Sequence, residues 1–294
     1  MKVAPPSEQK NTIKYTGALY SPAIFNTLNK EEKASTHFES LNVSIPIFRG
    51  EQNGISIATG FQMLDFYPDT VVPDLYNIQV GTTFTHLFKE KQLLSLNINY
   101  GSASDKPFKS ASVNTINSTL LYSFPSGTEG TWLLLLNYSN NRPILNNIPL
   151  PGVAYTYSAS KDFKGTFGLP FAYVYWQFVE NWSLNFFTVV PWVVKTSVAR
   201  TFFGFLQLYS GFDFSQMTFL QYGRESSKER LYYDEKKAFL GIKSPLSKFL
   251  FADLEAGYAF DREVFPAATY TFSPRSSTKI DSSWYGKISL TSVF

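Results

Sequence analysis

Cysteine is absent from all 294 residues, so disulfides and thiolate chemistry are excluded, and the chain is compatible with an oxidising compartment. Charge is scarce too. Only 17% of residues are charged and the formal net charge is +3, which falls short of the broad basic field of a nucleic-acid binder, so no nucleic-acid partner is expected. Histidine occurs only at His37 and His86. No spacing of His, Asp and Glu reads as a zinc or calcium site, and neither a G-x-S-x-G nor a Gly-rich phosphate loop is present. No catalytic residue, metal or cofactor is expected, and the chain reads as a non-enzyme. Long apolar runs are missing as well. The most apolar stretch, FGLPFAYVYWQFVENWSLNFFTVVPWVV, is broken by Pro170, Gln177, Glu180, Asn181, Asn185 and Pro191, so it does not reach the ~20 apolar residues of a spanning helix. The start, MKVAPPSEQKNT, lacks an apolar h-region; it reads as a mature form after signal-peptide removal, with residues 1–11 a flexible segment of a single 1–294 domain.

Aromatic residues, by contrast, are abundant: 28 Phe, 18 Tyr and 5 Trp make 17% of the chain, while the mean hydropathy is only −0.12. The apolar residues alternate. In LLSLNINYGS, Leu94, Leu96, Ile98 and Tyr100 share one face, and Ser95, Asn97, Asn99 and Gly101 share the other. In FLFADLEAGYAFD, Ala252, Leu254, Ala256, Tyr258 and Phe260 alternate with Asp253, Glu255, Gly257, Ala259 and Asp261. HFESLNVSIPIF, LYNIQVGTTFTHLF and the closing WYGKISLTSVF repeat the pattern. A period of two means strands with two different environments on their two sides. No helical periodicity and no linker interrupt it.

Backbone polar groups find no partner in lipid, so strands can cross a bilayer only as a closed barrel. Aromatics beside turns, as in NYGS, LYSFP, LNYSNN, LQYG and PFAYVYWQFVENWS, fit the girdles that such barrels carry at their interfaces. The expected fold is therefore an all-β closed antiparallel transmembrane barrel. At roughly 22–25 residues per strand and connection it has about 12 strands, with 14 as the alternative. A soluble sandwich is the competing architecture.

On this reading Ser95, Asn97, Asn99, Asp253, Glu255, Asp261 and Lys287 face the lumen, where opposed charges can set ion selectivity. Tyr173, Tyr175, Trp176, Trp182, Trp192, Phe203 and Phe205 are candidates for the lipid-facing or subunit surface. Some segments are apolar on both faces. Their inward residues Leu133, Leu135, Phe187 and Val189 allow a plugged lumen, a route for an apolar substrate, or a wall touching another subunit or lipid. Pro170 and Pro191 predict bulges or strand edges.

The ending resembles the assembly signal of bacterial outer-membrane barrels, carried here by Trp284, Gly286, Ile288, Leu290 and Phe294, with Ser292 departing from the usual apolar choice. GLPF, NWSL and AGYAFDRE resemble segments of uncharacterised outer-membrane barrels related to PopA-like ring-forming barrels. The resemblance implies a structural or porin-like protein of a Gram-negative outer membrane, assembling into homo-oligomers that enclose lipid. Its partners would be outer-membrane lipids and the assembly machinery. A transporter of hydrophobic small molecules is the alternative.

Overall fold

The computed structural model describes residues 5–26, 30–68, 70, 72–88, 91–158, 160–272, 274 and 276–294. Residues 1–4 of the expected flexible segment lie outside them. The alternating segments form β1 (Thr12–Tyr20), β2 (Ala23–Asn26), β3 (Glu31–Arg49), β4 (Asn53–Tyr67), β5 (Leu75–Leu87), β6 (Leu93–Ser104), β7 (Asn114–Ser126), β8 (Gly130–Ser139) and β9 (Leu150–Tyr157). They continue as β10 (Phe163–Leu169), β11 (Phe171–Val179), β12 (Trp182–Val189), β13 (Val193–Phe202), β14 (Leu206–Phe219), β15 (Arg230–Pro245), β16 (Leu250–Ala267), β17 (Thr278–Ile280) and β18 (Ser283–Val293).

The pairing is antiparallel throughout, and β1 pairs with both β18 and β3, so the sheet closes on itself. The wall has 16 strands. Where β1 and β18 stop, the short β2 and β17 take over their places between β3 and β16. The expected count of 12 or 14 is thus corrected to 16: the 22–25 residues assumed for each strand and connection are too many where strands are short and turns tight, as where β10 turns into β11 at Leu169–Pro170, β12 into β13 at residues 190–192 and β13 into β14 at residues 203–205. Pro170 and Pro191 therefore stand in turns, where the missing N–H costs no ladder bond.

One end of the barrel, the turn end, carries short connections such as residues 50–52, 127–129, 180–181 and 203–205, together with Asn11 and Phe294. The loop end carries the longer connections 105–113, 140–149, 220–229 and 268–282. Short turns at one end and long loops at the other are the habit of transmembrane barrels. Wall height varies: β3 has 19 residues and β16 has 18, whereas β9 to β12 have 8, 7, 9 and 8. Eight residues at ~3.3 Å each, tilted by ~40°, rise about 20 Å, less than the ~25 Å apolar band of such barrels.

The packed core is not central. Inward residues of opposite walls meet at the loop end, where Leu64, Phe66, Leu75 and Ala103 pack with Phe219, Leu231, Tyr233 and Val264, capped by Phe25 and Ile280 of β2 and β17.

Candidate functional site

Register decides which residues face inward, because paired residues share a face. Asp253 pairs with Lys243 and Ser289; Glu255 pairs with Gly241 and Lys287; Ser95, Asn97 and Asn99 pair with Thr85, Thr83 and Gly81. All of these stand on the lumen side. Leu254 and Ile288, directly paired and 50% and 43% exposed, stand on the outer side with Leu240, Val198, Trp176 and Val153.

The lumen is chemically divided. Around β3 to β7 it presents amides and hydroxyls such as Asn42, Gln62, Asn77, Gln79, Asn97 and Thr119. Asn97 donates to Thr83 at 2.9 Å and Asn77 to Gln62 at 3.2 Å. Around β13 to β18 and β1 it carries charge. Lys287 pairs with Glu255 at 2.6 Å, Lys195 with Asp213 at 3.2 Å and Lys237 with Glu235 at 2.7 Å. Tyr285 donates to Glu255 at 2.8 Å, and the Tyr209 hydroxyl reaches both Asp253 and Glu255. Lys14 and Lys243 face the same space and have no carboxylate within 4.0 Å among the described residues. A cavity of about 410 Å³ lies against this wall, lined by Tyr173, Lys195, Tyr209, Lys243, Asp253 and Lys287 among others. Lys14 lines a second cavity of about 270 Å³ with Asn42, Gln79 and Asn99.

Above the lumen, Arg262 is buried at the edge of the core. Its guanidinium stands 3.5 Å from Glu235, donates to Ser283 at 3.0 Å and to Thr36 at 2.8 Å, and lies over the Tyr20 ring at 4.7 Å. A bulge between Asp234 and Lys236 brings Arg262 inward and, with Asp261 at φ 49°, turns Asp261 away. Asp261 pairs with the outer-face Lys236, so the face shared by Asp253 and Glu255 ends before it.

Tyr173 and Tyr175 also stand elsewhere than on the lipid-facing surface proposed for them. They pair with Phe187 and Asn185 on the lumen side, because the turn at Leu169–Pro170 sets the phase of β11. Trp176 is outward and 47% exposed. Trp182 is outward with Arg200 over its ring at 5.4 Å, Phe203 and Phe205 cap a turn at the turn end, and Trp192 lies in a loop-end turn. Leu133, Leu135, Phe187 and Val189 do face inward. In β18, Trp284, Gly286, Ile288 and Leu290 lie on the outer side, and Phe294 exchanges backbone hydrogen bonds with Asn11. The histidines are outward too: His37 stands 3.5 Å from Asp65, and His86 contacts Asn53 at 2.6 Å.

Both mouths are narrowed. At the turn end, Pro6 is buried against Gly54, and Gln9 bonds to Ser56 at 2.7 Å and Thr85 at 3.3 Å. At the loop end, residues 140–149 reach across from β8: Asn141 donates to the Thr218 carbonyl at 3.0 Å, Arg230 to that of Asn140 at 2.9 Å, and Tyr232 to that of Pro143 at 3.3 Å.

Solved channels and porins resemble this barrel. An outer membrane channel from Pseudomonas putida aligns over 100% of both chains at 9% identity with a TM-score of 0.38. A deltaS2 mutant of the monoaromatic hydrocarbon channel TodX aligns over 99% of this chain and 93% of its own at 9% identity, TM-score 0.49. A mutant of the Rh. blastica porin aligns over 97% and 99% at 10% identity, TM-score 0.42. No protein family matches the sequence, and no curated protein does.

Proposed function

We propose that the protein is a porin-like channel of a Gram-negative outer membrane, with a lumen that favours small anionic solutes and a mouth gated by residues 140–149. The observation that carries this reading is the pair of lumen lysines, Lys14 and Lys243, which have no carboxylate within 4.0 Å among the described residues, beside a wall where Lys195, Lys237 and Lys287 are each paired and Asp253 is the one acid without a lysine that close. Unmatched cations facing a narrow wet path raise the local concentration of anions. The outer face supports the location, being apolar from Leu250 to Phe260 and ringed by aromatics. The turn end then faces the periplasm.

Magnitudes select the gate. Each large apolar side chain in the loop-end core contributes about 1.5–3 kcal/mol, so unpacking that core for each passage costs tens of kcal/mol. The crossing loop is held mainly by hydrogen bonds worth about 0.5–1.5 kcal/mol each, a cost that thermal motion meets on functional timescales. Planar-bilayer recording across a salt gradient tests the reading. Wild-type protein should show a reversal potential of the anion-selective sign, and K14E/K243E should move it toward cations. Equal selectivity in both would overturn the assignment.

A homo-oligomer is the second reading, favoured by the low wall of β9 to β12. Its loop-end turns, Leu169–Pro170 and Val190–Pro191–Trp192, are apolar, with Leu169 73% and Val190 61% exposed. Such turns suit a neighbouring subunit or enclosed lipid better than water. Native mass spectrometry in mild detergent separates a ring with retained phospholipid from a bare monomer. Insertion would pass through the assembly machinery, with the outer-face residues of β18 as its signal.

A further inference from the structure

A cavity of about 380 Å³ opens on the outer side of the barrel at the loop end, between the turn at Pro191 and the strands β14 to β16. Phe212, Phe214, Tyr270 and Phe272 give it aromatic walls, and its charged lining is three carboxylates, Asp234, Asp261 and Glu263, against one ammonium, Lys236. Asp234 is only 6% exposed, and its two oxygens differ: Oδ2 accepts from the Tyr270 hydroxyl at 2.8 Å, whereas Oδ1 is buried with no hydrogen-bond partner among the described residues. A buried carboxylate oxygen without a donor is unfavourable, and a donor that reaches it after a small turn of the Asp234 side chain would satisfy it.

The available cations do not fill the gap. Lys236 is taken by Asp261, and Lys279 stands opposite Glu263 in register with no carboxylate within 4.0 Å among the described residues. Ring faces suited to a cation are present, since the Lys236 ammonium already lies 5.9 Å from the centroid of Phe214. Burial, and then the hydrogen bond to Asp234, holds the Tyr270 phenol above its ordinary range, so it remains a donor to Oδ2.

We infer that this cavity is a binding site for an organic ammonium: a primary amine carried on an aromatic or short apolar body. The ammonium donates to the free oxygen of Asp234 and is balanced by Glu263, while the body packs on Phe212 and Phe272. A neutral alcohol of the same shape can satisfy the hydrogen bond but not the charge, and a carboxylate is repelled. An inorganic cation would leave the aromatic walls unused.

Titration of the whole protein in detergent with phenethylammonium, 2-phenylethanol and benzoate, followed by ligand-observed NMR and calorimetry, tests the site. Phenethylammonium should bind at least tenfold more tightly than 2-phenylethanol, and benzoate should not bind. D234N should weaken the amine at least tenfold and E263Q severalfold, with heat-modifiable gel migration confirming that each variant is folded. Equal binding of amine and alcohol, an unchanged affinity in both variants, or displacement of the amine by micromolar calcium would overturn the proposal. The last result would assign the carboxylates to an inorganic cation.

Discussion

The amide of Leu220 donates to the carbonyl of Ala103 at 2.7 Å, joining the end of β14 to the end of β6 from opposite sides of the ring. The chain has no cysteine, so pairs of cysteines can lock chosen contacts without background. Oxidised A103C/L220C should conduct as its reduced form does, because the core it ties stays packed throughout. Oxidised N141C/T218C, which ties the crossing loop to β14, should fall silent and recover on reduction. The opposite pattern, read in single-channel recordings, would move the gate from residues 140–149 to the core.

Arg142 organises that loop from within. Its backbone amide donates to Asn146 at 2.7 Å, and its guanidinium donates to the Leu145 carbonyl at 3.1 Å, to Asn137 Oδ1 at 3.1 Å and to the Ile148 carbonyl. R142A removes the side-chain contacts, worth about 0.5–1.5 kcal/mol each. The open probability should rise roughly tenfold while the conductance of the open channel stays the same.

At the turn end, Gly54 leaves room for Pro6: a Cβ there would stand 2.9 Å from the Cβ of Pro6. G54V should push residues 5–9 out of the mouth, and conductance should increase without a change in selectivity. Protease accessibility of the same segment gives an independent readout.

Arg262 is buried with Glu235, and removing one member of a buried pair leaves the other charge uncompensated, at about 3–5 kcal/mol. R262M should lower the unfolding free energy by that order in urea titrations of bilayer-inserted protein. E235Q/R262M should recover part of the loss.

A lysine placed at Val190 tests where the low rim sits. Cationic substitutions on the outside of membrane barrels cost about 2–4 kcal/mol at the bilayer midplane and 0–1 near its surfaces. V190K should cost on the order of 1–3 kcal/mol in bilayers of long-chain lipid and less in short-chain lipid, where the rim meets water. A cost independent of bilayer thickness would mean that protein covers the rim.

The face of each long strand was legible in the sequence, because a period of two separates Ser95, Asn97 and Asn99 from Leu94, Leu96 and Ile98 without knowledge of the partner strand. The number of strands was not. Turns announce themselves through Gly, Pro, Asn, Asp and Ser, and Leu169–Pro170 and Val190–Pro191–Trp192 carry a single proline each among apolar neighbours, which reads as readily as a bulge. Their apolar character, which makes the low wall unusual, is also what concealed them. Phase was lost wherever a turn or bulge intervened. Hence Tyr173 and Tyr175 face the lumen, and Asp261 does not share the side of Asp253. The meeting of Arg262 with Thr36, or of residues 140–149 with β14, depends on ring closure and leaves no local trace.

The seam between β1 and β18 is fastened by Thr16 and Ser289, whose hydroxyls lie 2.9 Å apart across 273 positions of sequence. Closing the ring pairs the first strand with the last, whereas every shorter length of the growing chain has two open edges. The most exposed moment in the life of this protein is therefore the interval before its ends meet, when a wall of bare backbone can pair with any neighbour. Joining such distant positions is also the slowest kind of contact to form by chance. A helper that holds one edge until the other arrives would shorten that interval more than any improvement in packing.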